Sequence, residues 1–210
     1  MTASEIVRFD GEEFFWSVGV ARGTAVQLRE AARTVSLVRF SRRFEPSTVC
    51  GYVFDVGPRF FLLALVSDRL WFDGFECFRI GDISDLSNDS YARFAEAALK
   101  KRGEGMPRKP RISLKSLRDL IVSVGRVSPL VTIHREEVRP DACWIGRVLG
   151  ISRGRVSLLE INPDATWENA PTAYRLSEIT RVNFGGDYED ALRLVGGVPP
   201  AGMQKRRNAR

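Results

Sequence analysis

Two residue pairs recur along the chain at an interval of 96 residues, and they carry the side chains best suited to bind a nucleic acid. Trp71 recurs as Trp167, and Arg79, which lies between apolar neighbours, recurs as Arg175. An exposed indole can stack on a base and contribute about 1–3 kcal/mol, and a guanidinium can bind a phosphate through two hydrogen bonds. These four residues are therefore candidates for contacts with RNA.

The same residues also have structural interpretations. An indole that closes one end of a small barrel would bury roughly 150–250 Å² and contribute roughly 4–6 kcal/mol, which exceeds the gain from stacking. We therefore expect Trp71 and Trp167 to pack against the fold, with Asp68 and Asp164 as turn-forming residues before them. The two arginines could instead pair with acids on an adjacent strand or in the other half of the chain.

Most of the positive charge lies in two short segments. Residues 100–111, KKRGEGMPRKPR, contain six bases and one acid, and residues 198–210 contain four bases and no acid. Without them the chain has 22 bases and 25 acids, although its formal charge is +6. Such segments attract RNA, DNA or anionic membranes through charge alone, or they only keep a protein in solution. The linker bases that we count as candidate nucleic-acid contacts are Lys100, Lys101, Arg102, Arg108, Lys109 and Arg111.

The residue types that perform acid–base catalysis are few and poorly placed. His134 is the only histidine, and the alternating stretch from Val131 to His134 predicts that it faces solvent on the outer side of a strand. Glu12-Glu13 and Glu136-Glu137 are adjacent pairs, which in a strand would point to opposite faces as solvated residues. We therefore predict that the chain is not an enzyme.

The cysteines argue against a disulfide framework and against a structural zinc site. Cys50, Cys77 and Cys143 are odd in number and form no C-x-x-C pair. Cys50 and Cys143 precede corresponding strand glycines, and we expect both in the core. We predict no cofactor and no metal. With no signal-peptide-like run and no apolar run near the roughly 18 residues of a membrane span, a cytoplasmic location is the expectation.

An internal duplication explains the recurring residues. Residues 60–86 align without a gap to residues 156–182, with six identities among 27 positions and the same apolar rhythm. Upstream the offset changes by one, so that Gly51 matches Gly146, and the extra residue falls in VGPR versus ISRGR. This Gly-containing stretch predicts a hairpin turn, where a change of length is tolerated. We infer two copies of one fold.

Each copy has the pattern of a helix followed by five short strands. An apolar helical stripe runs through SLKSLRDLIVSV, with Ser113 as the expected N-cap, and TAVQLREAARTV is its counterpart in the first copy. Short alternating stretches follow, and NDSYARFAEAALKK predicts a further helix before the basic linker. We predict a mainly β fold with short helices, formed by two small closed or sandwiched barrels.

This order of elements resembles the Sm-like branch of the small SH3-like barrels. The resemblance rests on an apolar Gly-x-Val strand, a Leu-Leu strand and a closing apolar-Arg-x-x-(Asp/Glu)-Ile stretch, over residues 24–99 and 113–195. The second copy, with CWIGRVLGI, LLEINPDATW and EITRVNFGGDY, is also similar to uncharacterised bacterial proteins built on such barrels. The family's RNA site implies a contact loop at residues 55–61 or 150–156 and a closing arginine at Arg79 or Arg175. Neither loop carries the family's Met-Asn pair.

We expect a non-enzymatic binding or scaffolding module that acts through protein–protein contacts, including self-association at exposed edge strands. RNA binding through the basic segments and the strand arginines is the alternative, and an enzyme with a site between the barrels is a third. The predicted organisation is an N-terminal barrel with an additional leading segment (1–99), a basic linker (100–111), a C-terminal barrel (112–197) and a basic, disordered tail (198–210).

Overall fold

The computed structural model describes residues 18–199, without the side chains of residues 18–22 and 46. Glu12, Glu13 and the tail beyond residue 199 lie outside the described residues. The helices are α1 (Val18–Thr34), α2 (Ser90–Arg102), α3 (Leu117–Val127) and α4 (Asp187–Gly196). The strands are β1 (Leu37–Arg42), β2 (Glu45–Val56), β3 (Phe60–Val66), β4 (Phe72–Arg79), β5 (Ile83–Ser87), β6 (Val131–His134), β7 (Cys143–Ser152), β8 (Arg155–Glu160), β9 (Thr172–Arg175) and β10 (Arg181–Phe184).

The helix that introduces the second half begins later than the sequence predicts. Its N-cap is Ser116, whose hydroxyl accepts a hydrogen bond from the Asp119 amide at 3.1 Å, so Ser113 is not the cap. The helix itself therefore starts only at Leu117. The later part of the predicted apolar stripe is confirmed, because Leu120, Ile121 and Val124 are fully buried, whereas Ile112 and Leu114 of that stripe lie before the helix.

All ten strands form one antiparallel sheet. Their order is β5-β1-β2-β3-β4-β10-β6-β7-β8-β9, so each half contributes five strands in the same internal order. The halves join where β4 pairs with β10, with Cys77 opposite Val182 and Phe78 opposite Arg181. The mainly β prediction is confirmed. Closure into two barrels is not observed, since the described sheet is open at β5 and β9.

Each residue that pairs between β2 and β3 corresponds to the residue 95 positions later, which pairs between β7 and β8. Val53 pairs with Leu63 in the first half, and Val148 pairs with Leu158 in the second. The two hairpins are therefore equally long, and the extra residue lies between Trp167 and β9. Leu63 corresponds to Leu158 and not to Leu159, so the sequence alignment is wrong by one residue in this strand.

The largest core cluster contains residues of both halves. Phe60, Leu62 and Cys77 of the first half pack with buried residues of α3 and of strands β6, β8, β9 and β10. The segment after the basic linker contributes Leu114, which is buried and contacts Gly57 so closely that a Cβ at residue 57 would lie 2.4 Å from the Leu114 carbonyl oxygen. A second cluster places α1, through Leu28, against the first half. α2 and α4 pack on the opposite faces of their respective halves.

Candidate functional site

The two recurring arginines have different environments. Arg79 is buried and donates hydrogen bonds to Asp82 at 2.7 Å and to Glu137 of the second half at 2.8 Å. Arg175 is 62% exposed and lies 3.6 Å from its nearest acid, Glu178. Of these two arginines, Arg175 is therefore accessible to a phosphate, whereas Arg79 joins the two halves.

The two tryptophans are not structural counterparts. Trp167 is half-buried, and its indole Nε1 donates a hydrogen bond to the Gly196 carbonyl at 3.0 Å, so it anchors the end of α4 as a packed residue. Asp164 accepts hydrogen bonds from Thr166, which confirms its turn-forming role. Trp71 lies in the equivalent turn of the first half, where its backbone carbonyl accepts a hydrogen bond from the Ser67 amide. In the second half, the carbonyl that accepts the equivalent hydrogen bond, from the Asn162 amide, belongs to Thr166. The counterpart of Trp71 is therefore Thr166.

The candidate bases of the linker are exposed and scattered. Lys100, Lys101 and Arg102 end α2, and Arg102 donates hydrogen bonds to the carbonyls of residues 69 and 70. Lys109 pairs with Asp55 at 2.8 Å. Arg108 and Arg111 are exposed and form no ion pair within residues 18–199.

Buried ion pairs join the β1–β2 turn of the first half to the second half. The Arg42 guanidinium donates two hydrogen bonds to the Glu136 carboxylate, at 2.9 and 2.6 Å, and one to Glu45 at 3.0 Å. Arg181 on β10 donates to the other Glu45 oxygen at 2.5 Å. Burial would raise the pKa of Glu136, but the Arg42 hydrogen bonds and charge hold that pKa below its usual range. The predicted solvated position of Glu136 is wrong, because the first half covers it.

His134 belongs to the same buried cluster and does not face solvent as predicted. Its Nδ1 lies 3.2 Å from the Arg181 guanidinium, and Nε2 has no hydrogen-bond partner among the described residues. Because arginine only donates, Nδ1 is the acceptor and the proton sits on Nε2. Burial and the Arg181 charge lower the pKa of His134 to about 3, so the ring is neutral. We call Arg42, Glu45, Glu76, His134, Glu136 and Arg181 the junction cluster.

Glu76 is the second unusual titrating group of the junction cluster. It is buried on β4 and accepts a hydrogen bond from the Asn183 side chain at 2.7 Å. Burial raises the pKa of Glu76 to about 7, although the Arg181 charge opposes this. A carboxyl and an imidazole with shifted pKa values are typical of acid–base sites. Both side chains are buried among protein groups, however, so neither can reach a substrate in this conformation.

The cysteines divide into two classes. Cys50 and Cys77 are buried, as expected for core residues, and burial raises the pKa of Cys50 to about 11. Cys143 is exposed, so its predicted core position is wrong. It is the first residue of β7, opposite His134 in the ladder, where the strand leaves the covered part of the sheet. Partial desolvation by neighbouring protein atoms raises the pKa of Cys143 above its usual value.

Four exposed arginines lie along the outer side of the second half. Arg155 and Arg175 are direct cross-strand neighbours on β8 and β9, Arg147 follows on the same face of β7, and Arg153 occupies the β7–β8 turn. Apart from the distant Arg175–Glu178 pair, these side chains form no ion pair within the described part of the chain. Like charges directly opposite each other destabilise a sheet. We call these four residues the arginine surface; alternation along β7 and β8 was the sequence signal that could have revealed it.

The outer edge of the second half is an unpaired strand. β9 pairs with β8 on one side and with no strand on the other among residues 18–199. Leu176, just beyond β9, donates to the Gly154 carbonyl, so alternate residues face β8 and the amides of Ala173 and Arg175 face away from it. Thr172, Ala173 and Arg175 are all exposed.

Neither a membrane helix nor a metal site is found in the described region. None of the described helices combines the length and the apolar character that crossing a bilayer requires. Histidine, cysteine, aspartate and glutamate side chains do not gather there in groups of three or more that could hold a metal ion.

Comparison with known proteins gives no relative from which a function could be transferred. No family model, no curated protein and no solved structure matches this chain.

Proposed function

We propose that the chain is a non-enzymatic binding module, built from two five-stranded repeats of the Sm-like type, that acts through contacts with another protein. The repeated strand order β5-β1-β2-β3-β4 and β10-β6-β7-β8-β9 supports the Sm-like interpretation. A short 3-10 helix precedes the fifth strand of each half, Ile80–Asp82 in the first and Leu176–Glu178 in the second. The burial of His134 and Glu76 supports a role without catalysis.

The observation that carries the proposal is the contrast between β4 and its counterpart β9. In the first half, the outer side of β4 is paired with β10 over four residues, and Cys77 lies opposite Val182. In the second half, the corresponding side of β9 has no partner within the described residues, although Ala173 occupies the position of Cys77. An unpaired strand edge is a template for an added strand. We infer that β9 takes an extended segment of a partner protein as β4 takes β10.

The chain's own sheet edges are poorly suited to pair with each other. Asp85, in the middle of the opposite edge strand β5, has a positive φ of 52°, which interrupts the regular extended backbone. Pro171 precedes β9 and limits an added strand to about the four residues of β9 itself. A different protein segment is therefore the better occupant of the β9 edge than β5 of a second copy.

The proposal is tested by selecting peptides from a displayed library of random ten-residue sequences against the full chain. Selected peptides should lose binding to Ala173→Pro, because proline removes the outward amide while edge strands tolerate it. They should keep binding to the matched control Ala173→Ser. If no peptide is enriched, or if the enriched peptides bind Ala173→Pro equally well, β9 is not the docking site.

A second candidate function, RNA binding, is favoured by the arginine surface alone. Four exposed arginines, of which only Arg175 has an ion-pair partner among the described residues, place positive charge on folded structure, where phosphates could bind without the basic tail. Binding of fluorescent single-stranded RNA across a salt series tests this candidate. Arg155→Ala/Arg175→Ala should weaken binding and reduce the slope of log K against log salt by about 0.7 for each phosphate that the variant no longer neutralises. If only deletion of residues 200–210 weakens binding, the arginine surface is not an RNA site.

A further inference from the structure

α4 buries fewer of its apolar side chains than its counterpart α2, which itself leaves Tyr91 and Phe94 exposed. α2 buries Ala92, Ala95 and Leu99 against the sheet, whereas α4 buries only Leu192. The remaining apolar side chains of α4 and of the segment just after it point to solvent. Tyr188 is 54% exposed, Leu194 86%, Val195 76% and Val198 86%, and the smaller Ala191 is also exposed. We call these five residues the α4 surface.

The α4 surface borders a groove that the β8–β9 connection completes. Pro163, Asp164 and Ala165 form one wall, and Tyr188, Ala191, Leu192 and Val195 form the other, around a volume of about 220 Å³. The Trp167–Gly196 hydrogen bond holds the end of α4 against this connection. The groove is therefore fixed by the fold on both sides, and its lining is mostly apolar.

The spacing of the apolar residues fits a second helix. Tyr188, Ala191 and Val195 follow one another at intervals of three and four residues, which places them on one side of α4, whereas Val198 lies beyond the C-cap Gly197, where the backbone is no longer helical. In an antiparallel pairing of two such helices, Ala191 lies opposite Val195, and Tyr188 lies beside the segment that follows α4 of the other chain. The small residue then meets a larger one, and the surface is complementary to itself.

The charges along α4 favour the same arrangement. Its first turn carries Asp187, Glu189 and Asp190, whereas Arg193 lies in its last turn, and residues 198–210 add four bases and no acid. A parallel pairing would bring acids against acids and bases against bases. An antiparallel pairing brings Asp187 and Asp190 of one chain to the end from which the basic segment of the other chain begins.

We propose that α4 forms an antiparallel, two-fold symmetric contact with α4 of a second copy of this chain. This inference goes beyond the binding of a partner segment at β9, because it uses a different surface and a different partner. The five residues of the α4 surface are far fewer than the roughly 20–30 residues per side of a standard stable interface. We therefore expect dimerisation with a dissociation constant in the range of roughly 1–100 µM. Each dimer would carry two β9 edges and so bind its partner twice.

The oligomeric state of the full chain tests the proposal. Sedimentation velocity at increasing concentration should show conversion of monomer to dimer. Val195→Glu places a charge in the contact at an exposed position, so the fold is retained and the dissociation constant should rise at least about tenfold. The matched control is Val26→Glu, the same substitution at a position of α1 that is 62% exposed, which should leave dimerisation unchanged.

The orientation is tested by cross-linking in a Cys143→Ser background. A mixture of chains bearing Ala191→Cys and chains bearing Val195→Cys should form more disulfide-linked dimer than either chain alone. Preferential linking of Ala191→Cys to itself would indicate parallel helices and overturn the proposed geometry.

Three outcomes would overturn the contact itself. One is a chain that remains monomeric at all concentrations, and another is a dimer that Val195→Glu does not weaken. A dimer that is lost in Ala173→Pro but not in Val195→Glu would assign self-association to β9. If Ala173→Pro loses peptide binding but still forms the dimer, the β9 site and the α4 contact are separate. The third outcome is a monomer that binds anionic vesicles through Val195, which would make the α4 surface a lipid contact.

Discussion

The buried Arg42–Glu136 pair gives the sharpest test of how the two halves are held together. The two side chains are 0% and 4% exposed and share two hydrogen bonds. Glu136→Gln keeps the shape of the side chain but removes its charge, which leaves Arg42 buried with Glu45 as its remaining anionic partner. Removing one member of a buried ion pair costs about 3–5 kcal/mol, and because Glu45 compensates in part we expect about 3 kcal/mol.

A destabilisation of this size is easily measured by urea unfolding or by thermal unfolding. For a chain of this length, about 3 kcal/mol lowers the unfolding temperature by about 6–12 °C. The control is Glu30→Gln, which breaks an exposed Arg33–Glu30 pair on α1 and should leave the midpoint unchanged. The double variant Arg42→Met/Glu136→Met should recover most of the stability, because an apolar pair has no charge to bury. A destabilisation below about 1 kcal/mol in Glu136→Gln would refute the reasoning.

Three further predictions concern single groups. Glu76→Gln should be more stable than the wild type at pH 8 but not at pH 5. The pKa of Glu76 rises from 4.5 to about 7 on folding, so the protonated carboxyl stabilises the folded state fully below pH 4.5. This stabilisation, roughly 3 kcal/mol of unfolding free energy, is lost as the pH rises through 7. Equal pH dependence of urea unfolding in both proteins would contradict this. Mass spectrometry should show that iodoacetamide modifies one thiol, Cys143, in the native chain and all three thiols after unfolding. Modification of no thiol or of two thiols in the native chain would be incompatible with the structure. Gly146→Ala should destabilise the fold by about 1–3 kcal/mol in urea unfolding, because its Cβ would lie 2.2 Å from the Leu159 carbonyl oxygen. The control is Gly105→Ala, whose Cβ would meet nothing within 4 Å. Equal stability of the two variants would refute the close packing at Gly146.

The strands and helices were predictable because they place one face, or in β3 both faces, in a core. The stripe through Leu120, Ile121 and Val124 and the run from Phe60 to Val66 carry that signal directly in their residue types. The register was misread, because the identical pairs Leu62-Leu63 and Leu158-Leu159 favour an offset of 96 in sequence, whereas the strand pairing places Leu63 with Leu158 at an offset of 95.

What covers the second face of a strand could not be predicted from alternation. The pattern around His134 correctly separates two faces of β6, but it does not say that the first half packs on the outer one. Glu136 was misplaced for the same reason, since its partner Arg42 lies 94 residues away in sequence. Burial between repeats depends on how two copies meet, and no local pattern records that.

The position shared by Arg79 and Arg175 shows where binding is to be sought. At the junction, Asp82 and Glu137 neutralise Arg79, and its strand is fully paired. At the free end, Arg175 keeps its charge exposed on an unpaired strand, next to Arg155. A partner at that end would supply both of the things that the second half supplies to the first: backbone hydrogen bonds for β9 and acidic side chains for the arginine surface. An extended segment that contains acidic residues would satisfy both demands at once, whereas RNA would satisfy only the charge.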